Sequence, residues 1–167
     1  MFDEINTCCF TGHRAQKLPF GFDERHPECV RVKDELRSHI LGAAHDGYTR
    51  FISGGALGVD LWAARIVLEV KEEYPWIMLG MAIPCEGQPD KWNYFYKSLY
   101  RDICGRADEV TMVSGTPYYS GCMQKRNRYM VDKSSRVIAV FDGSPGGTAS
   151  TVEYARKTGK DVKIINV

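Results

Sequence analysis

The sequence predicts an α/β fold, a three-layer sandwich in which helices cover both faces of a mostly parallel sheet. Three observations carry this. Apolar runs and helical patterns alternate strictly along the chain, and several of the runs, such as "VIAVF", are apolar on successive residues. The chain is 167 residues long and carries no repeat, low-complexity segment or linker, so residues 1–167 are expected to form one domain. Strands that are apolar on both sides suit a sheet covered on both faces, and strand–helix alternation makes neighbouring strands parallel.

Each element has its own justification. "INTCCFTG" (5–12) reads as the first strand, and 30–44 as a helix with Val32, Leu36, Ile40 and Leu41 near helical spacing. "YTRFISGG" (48–55) is the second strand, followed by an Ala-, Leu- and Val-rich helix over 59–74. "IMLGMAIP" (77–84) is a strand stopped by Pro84, and the helix over 90–106 takes Asp90 as its expected N-cap. "EVTMVS" (109–114) is a short strand, 122–133 a helix, and "RVIAVFD" (136–142) a nearly continuous apolar strand. A helix over 150–158, ended by Gly159, and the strand "VKIINV" (162–167) close the chain.

Composition narrows the function. A net charge of +1 argues against a broad basic surface for duplex nucleic acid and leaves room only for a local basic site. No stretch approaches the roughly 18 apolar residues of a membrane helix. "MFDEINTCCF" lacks the basic start and cleavage site of a signal peptide, so a cytoplasmic location is expected. The six cysteines include no C-x-x-C pair and the four histidines no H-E-x-x-H, which predicts reduced thiols, some of them buried, and no metal.

In a parallel sheet of this kind ligands bind beyond the carboxyl ends of the strands. After the first strand come Gly12, His13 and Arg14, with Arg14 offering a planar charged fork for phosphate or carboxylate. After the second comes "SGGALGVD". Ser53, Gly54, Gly55 and Gly58 lead into a helix whose N-terminus can attract an anion. Asp60 there either complements the helix dipole or accepts hydrogen bonds from ribose hydroxyls. Ser53 stands where a dinucleotide fingerprint needs its first glycine, and no G-K-S/T phosphate loop occurs, so no nicotinamide or other cofactor is expected.

After the third strand, Gln88, Trp92, Tyr96 and Tyr100 recur every four residues on one helical face. Tyr96 and Tyr100 read as packing; Gln88 and Trp92, nearer the sheet edge, can hydrogen-bond to and stack on a base. After the fifth strand, "DGSPGGTASTVEYA" repeats the device of glycines running into a helix. It brings the amides of Gly146 and Gly147, the hydroxyls of Thr148, Ser150 and Thr151, and a second carboxylate, Glu153. In the preceding helix Arg126 and Arg128 differ by about 200° around the axis. Arg126 and Asn127 therefore face the site, and Arg128 faces solvent.

These motifs, "TGHR", "SGGALGVDLWAA", "Q…W…Y", "MQKRNRYMVD" and "GGTASTVEYA", run in the order seen in the YpsA-like branch of the SLOG superfamily, which the chain resembles over nearly its whole length. The superfamily unites the Smf/DprA proteins with the Lonely-guy phosphoribohydrolases. The resemblance implies a Rossmann-like fold, a nucleotide-derived small molecule as partner and, by analogy with the Lonely-guy enzymes, a homodimer. Of the Lonely-guy signature P-G-G-x-G-T-x-x-E, Pro145, Gly146, Gly147 and Glu153 match, as do Arg126 and Met130 of an R-x-x-x-M helix; Ala149 and Ser150 depart from it. A Cβ at Ala149 can block backbone approach to phosphate, so binding carries over better than catalysis.

Three functions follow. The first is a nucleotide-derivative binder acting as sensor or regulator, with Asp60 and Gln88 reading ribose or base and the two glycine turns and Arg126 holding phosphate. The second is an N-glycosidase acting on nucleoside monophosphates, with Glu153 and Arg126 as catalytic residues. The third, least supported by the near-neutral charge, is single-stranded DNA binding.

Overall fold

The computed structural model describes residues 4–167, and within them six strands form one sheet in the order β4-β3-β2-β1-β5-β6. The strands are β1 (Thr7–Gly12), β2 (Arg50–Ser53), β3 (Met78–Ile83), β4 (Glu109–Met112), β5 (Arg136–Val140) and β6 (Asp161–Ile165). All five pairings are parallel, so the expected mostly parallel sheet is wholly parallel. The helices are α1 (Pro27–His45), α2 (Val59–Glu73), α3 (Tyr94–Arg106), α4 (Cys122–Asp132) and α5 (Gly147–Lys157).

The sheet alternates its side chains between two cores. Cys8, Phe10, Phe51, Leu79, Met81, Ile138 and Val140 pack with α1, α2 and α3, whereas Cys9, Ile52, Ala82 and Val137 pack with α4 and α5. Both faces of each central strand are thus dry, which is why those strands read as continuous apolar runs. Burying each of the larger side chains contributes about 1.5–3 kcal/mol. Edge strand β4 is less covered, leaving Val110 and Met112 about half exposed.

The chain adds β2, β3 and β4 on one side of β1 and then crosses to add β5 and β6 on the other. Right-handed crossovers put helices on opposite faces when the direction of growth reverses. The reversal falls between β1 and β5, where neighbouring loops diverge and leave a crevice at the carboxyl edge.

Three helices start at other residues than the sequence predicts. α1 begins at Pro27 rather than residue 30, because His26 Nδ1 accepts the Glu28 N–H at 3.1 Å and Pro27 suits the first turn. α3 begins at Tyr94: Asn93, not Asp90, is the cap, its Oδ1 accepting the Tyr96 N–H at 3.0 Å. α5 begins at Gly147 rather than Ser150. Five of the six cysteines are buried and Cys104 is partly so. Among the described residues no helix is long and apolar enough to cross a membrane.

Candidate ligand-binding site

The crevice between β1 and β5 begins with a close approach. A Cβ on Gly12 would lie 2.6 Å from Val59 Cγ1, so only glycine lets the end of β1 rest on the start of α2. The next residue, His13, is 4% exposed and donates from Nε2 to Asp142 Oδ1 at 2.9 Å, tying the loop after β1 to the loop after β5. Arg14 then opens a 3-10 turn over Ala15–Lys17, in which Lys17 N–H bonds to Arg14 O at 2.9 Å. That bond brings Arg14 and Lys17, both exposed, close together.

These residues form one wall of a cavity of about 440 Å³. Asp60, Arg126 and Asn127 also line it, and Gly147 and Thr148 of α5 close the opposite side. Asp60 and Arg126 are 7% and 3% exposed and face each other across Gly54. The Arg126 guanidinium donates from Nη1 to the carbonyls of Gly54 at 2.5 Å and Ala82 at 3.3 Å, and from Nε to Asn127 Oδ1 at 2.9 Å. Burial pushes the Asp60 carboxyl above its usual range, while Arg126, the Ala56 N–H and Arg14 pull it back. Burial lowers Arg126 in turn, opposed by Asp60. The buried charges partly neutralise each other beneath the cavity, and the exposed Arg14 and Lys17 add two further cations to its wall.

Helix capping adds to this polarity. His26 and Asn93 cap α1 and α3 with side-chain bonds, but the N-caps of α2, α4 and α5 are Gly58, Gly121 and Gly146, and none makes one. The N-terminus of α5 thus presents its first amides and the positive end of its dipole to the cavity.

The structure does not bring every candidate here. Ser53, Gly54 and Gly55 are buried behind Asp60: Ser53 Oγ donates to Asp60 O at 2.7 Å and accepts the Gly55 N–H at 3.2 Å. Gln88 donates to Gly54 O at 3.2 Å, and Trp92 stands edge-on to Tyr100 at 5.5 Å; both lie behind that turn, away from the cavity. Glu153 lines a neighbouring cavity of about 580 Å³ between α4 and α5, with Thr151, Arg128 and Tyr154. Its side chain is 71% exposed and pairs with Lys157 at 3.6 Å. Glu153 and Arg126 therefore line different cavities, which Asn127, Met123 and Gly147 join.

Sequence reasoning missed Lys17, Gln16 and Asp142. The R-x-x-K spacing and an acid placed directly before Gly143 were the available signals for the first and last.

The chain is similar to UPF0398 proteins of Bacillus pumilus (32% identity over 83% of this chain and 74% of that one) and Bacillus thuringiensis (33% over 90% and 82%). In fold it resembles DNA processing protein A of Streptococcus pneumoniae, with a TM-score of 0.66 and 18% identity over 96% of this chain and 50% of that one. The Helicobacter pylori counterpart, described as binding single-stranded DNA, gives 0.64 and 19% over 96% and 65%. This chain thus spans about half to two thirds of those structures. The crevice, the glycine-capped helices and all of the wholly parallel sheet but Thr7 sit within residues 8–167, which match the YspA SLOG family, and the chain belongs to that family.

Proposed function

We propose that the cavity at the β1–β5 crevice binds a nucleotide derivative, with its phosphate between Arg14, Lys17 and the N-terminus of α5, and that the protein works as a sensor or regulator. One observation carries this reading. Two exposed cations and an uncapped helix N-terminus open onto one cavity, over a buried Arg126 that is already engaged with backbone carbonyls. Flexible cations and preset amides are what a phosphate requires. Glycosidase chemistry has less support, because Glu153 stands exposed in the adjoining cavity, paired with Lys157.

Single-stranded nucleic acid is a second reading, favoured by Arg128 lying 5.0 Å over the Tyr154 ring in that adjoining cavity and by the description of the Helicobacter neighbour. A thermal-shift screen of nucleotides separates the two, since a ligand at 100 times its Kd adds about 2.7 kcal/mol. Arg14→Ala or Lys17→Ala should each weaken binding about tenfold or more, and Arg128→Ala less than about threefold. Equal losses at Lys17 and Arg128, together with a steep fall in affinity between low and moderate salt, would favour the strand.

A further inference from the structure

The loop after β5 is a short D-G-S turn, and its acid is held from three sides. Ser144 Oγ at 2.6 Å, Ser144 N at 2.8 Å and His13 Nε2 at 2.9 Å all reach Asp142 Oδ1. The Ser144 hydroxyl and amide, and then His13, keep the Asp142 carboxyl far below its usual range. An ionised carboxylate only accepts hydrogen bonds. Nε2 of His13 therefore carries the proton of that bond, and in the neutral ring the lone pair falls on Nδ1.

The ring itself is fixed. His13 is 4% exposed, and its centroid lies 6.0 Å from that of Phe141. It also lines the cavity. Among the described residues no protein atom bonds to Nδ1, which leaves it available to a molecule in the cavity that His13 lines. Arg14, Lys17, Arg126 and the amides of α5 can only donate, whereas Gln16, Asn127 and Thr148, which also line the cavity, carry neutral donors and acceptors, with Asn127 Oδ1 already taking the Arg126 Nε–H at 2.9 Å. The Asp60 carboxylate, the other strong acceptor, is buried and takes the Ala56 N–H at 3.3 Å.

We propose that His13, set by Asp142 and Ser144, is the specificity-determining acceptor of this cavity: its Nδ1 selects a sugar phosphate, whose hydroxyl it binds while the cations and helix amides take the phosphate. This rests on the phosphate reading above and adds to it the residue that reads the sugar. Bare phosphate, with no hydroxyl on carbon to offer, gains nothing from Nδ1. A nucleotide's ribose meets the requirement.

The experiment has two parts. In the ligand-free protein at mildly alkaline pH, long-range proton–nitrogen correlation spectra report which ring nitrogen carries the proton, and the His13 signals are those lost in His13→Phe. The expected result is a protonated Nε2 in the wild type and a tautomer mixture in Asp142→Ala. A protonated Nδ1 in the wild type, or an unchanged tautomer in Asp142→Ala, overturns the inference. Calorimetry then compares ribose 5-phosphate with inorganic phosphate. The wild type should prefer the sugar phosphate, and His13→Phe, which keeps an aromatic ring beside Phe141, should reduce that preference about fivefold to tenfold with inorganic phosphate affinity within about twofold. Asp142→Ala, at an exposed position, should reduce the same preference in the same direction. A preference retained in both variants overturns the assignment of Nδ1. If neither probe binds the wild type while the tautomer is as stated, the phosphate reading fails and the selection of a sugar phosphate falls with it.

Discussion

Two turns that look alike in sequence, "SGGALG" after β2 and "SPGGTAS" after β5, do opposite work. The first is closed. Gly55 N–H goes to Ser53 Oγ, Ala56 N–H to Asp60, and the Gly54 carbonyl takes both Arg126 and Gln88. The second is open: Gly146 and Gly147 are exposed, the α5 N-cap makes no side-chain bond, and a Cβ on Gly147 would meet nothing within 4 Å. Glycine is required in the first turn for packing, whereas in the second Gly146 has a φ of +146° that favours glycine and Gly147 borders open space. A glycine-rich strand-to-helix turn is therefore a phosphate site only when its amides are not already bonded within the protein.

The strongest way to break this comparison is through Arg126, which ties the closed turn to α4. Arg126→Met leaves Asp60 buried without its counter-charge and two carbonyls without their donor, a loss of about 3–5 kcal/mol. The urea midpoint should fall accordingly, whereas Arg128→Ala, which removes only the stacking on Tyr154, should cost about 1 kcal/mol or less. A midpoint unchanged in Arg126→Met would mean that Arg126 is there for a ligand rather than for the turn.

The glycines give the next contrast. A Cβ on Gly54 would lie 2.6 Å from Arg126 Nη1 and 2.8 Å from Asp60 Oδ2, so Gly54→Ala should cost about 1–3 kcal/mol. Gly147→Ala, in open space at the start of a helix, should add about 0.4–1 kcal/mol while weakening phosphate binding. Equal destabilisation by the two would show that both turns are closed in solution.

The smallest effect is a difference in sign with pH. Burial raises Asp60, so the folded state holds its proton more tightly than the unfolded chain. That contribution to stability is full below the unfolded value of about 3.9 and is lost as pH rises through the folded pKa. Asp142 is lowered by Ser144 and His13, so its contribution is present above about 3.9 and is lost as pH falls through its folded pKa. Relative to wild type, Asp60→Asn should gain as pH rises above about 4, and Asp142→Asn should gain as pH falls below about 4. Slopes of the same sign in urea titrations would remove this contrast between the turns.

Much of the fold was legible. The strands of this sheet are dry on both faces, so burial writes itself into consecutive residues of "CCF" and "VIAV". Helix starts were less so, because capping depends on which side chain folds back: His26 and Asn93 do, and Asp90 instead packs against Gly87. Of the site, Gly12, His13, Arg14, Asp60, Arg126, Asn127, Gly147 and Thr148 do converge on one cavity. Lys17 was missed because nothing local marks a 3-10 turn that turns its ammonium toward Gly146.

The sequence by itself determined the alternation of strands and helices, the two-sided burial of the sheet and the family, since these depend on residue type and spacing along one segment. Only the tertiary structure decided which glycine turn is open, that Arg126 supports a buried carboxylate, that Glu153 belongs to a separate cavity, and that His13 meets Asp142. Each of those depends on a partner far away in the chain, 129 residues in the case of His13 and Asp142. Hydrogen-bond satisfaction and burial are properties of neighbours in space, and the reversal of strand order between β1 and β5 chooses those neighbours.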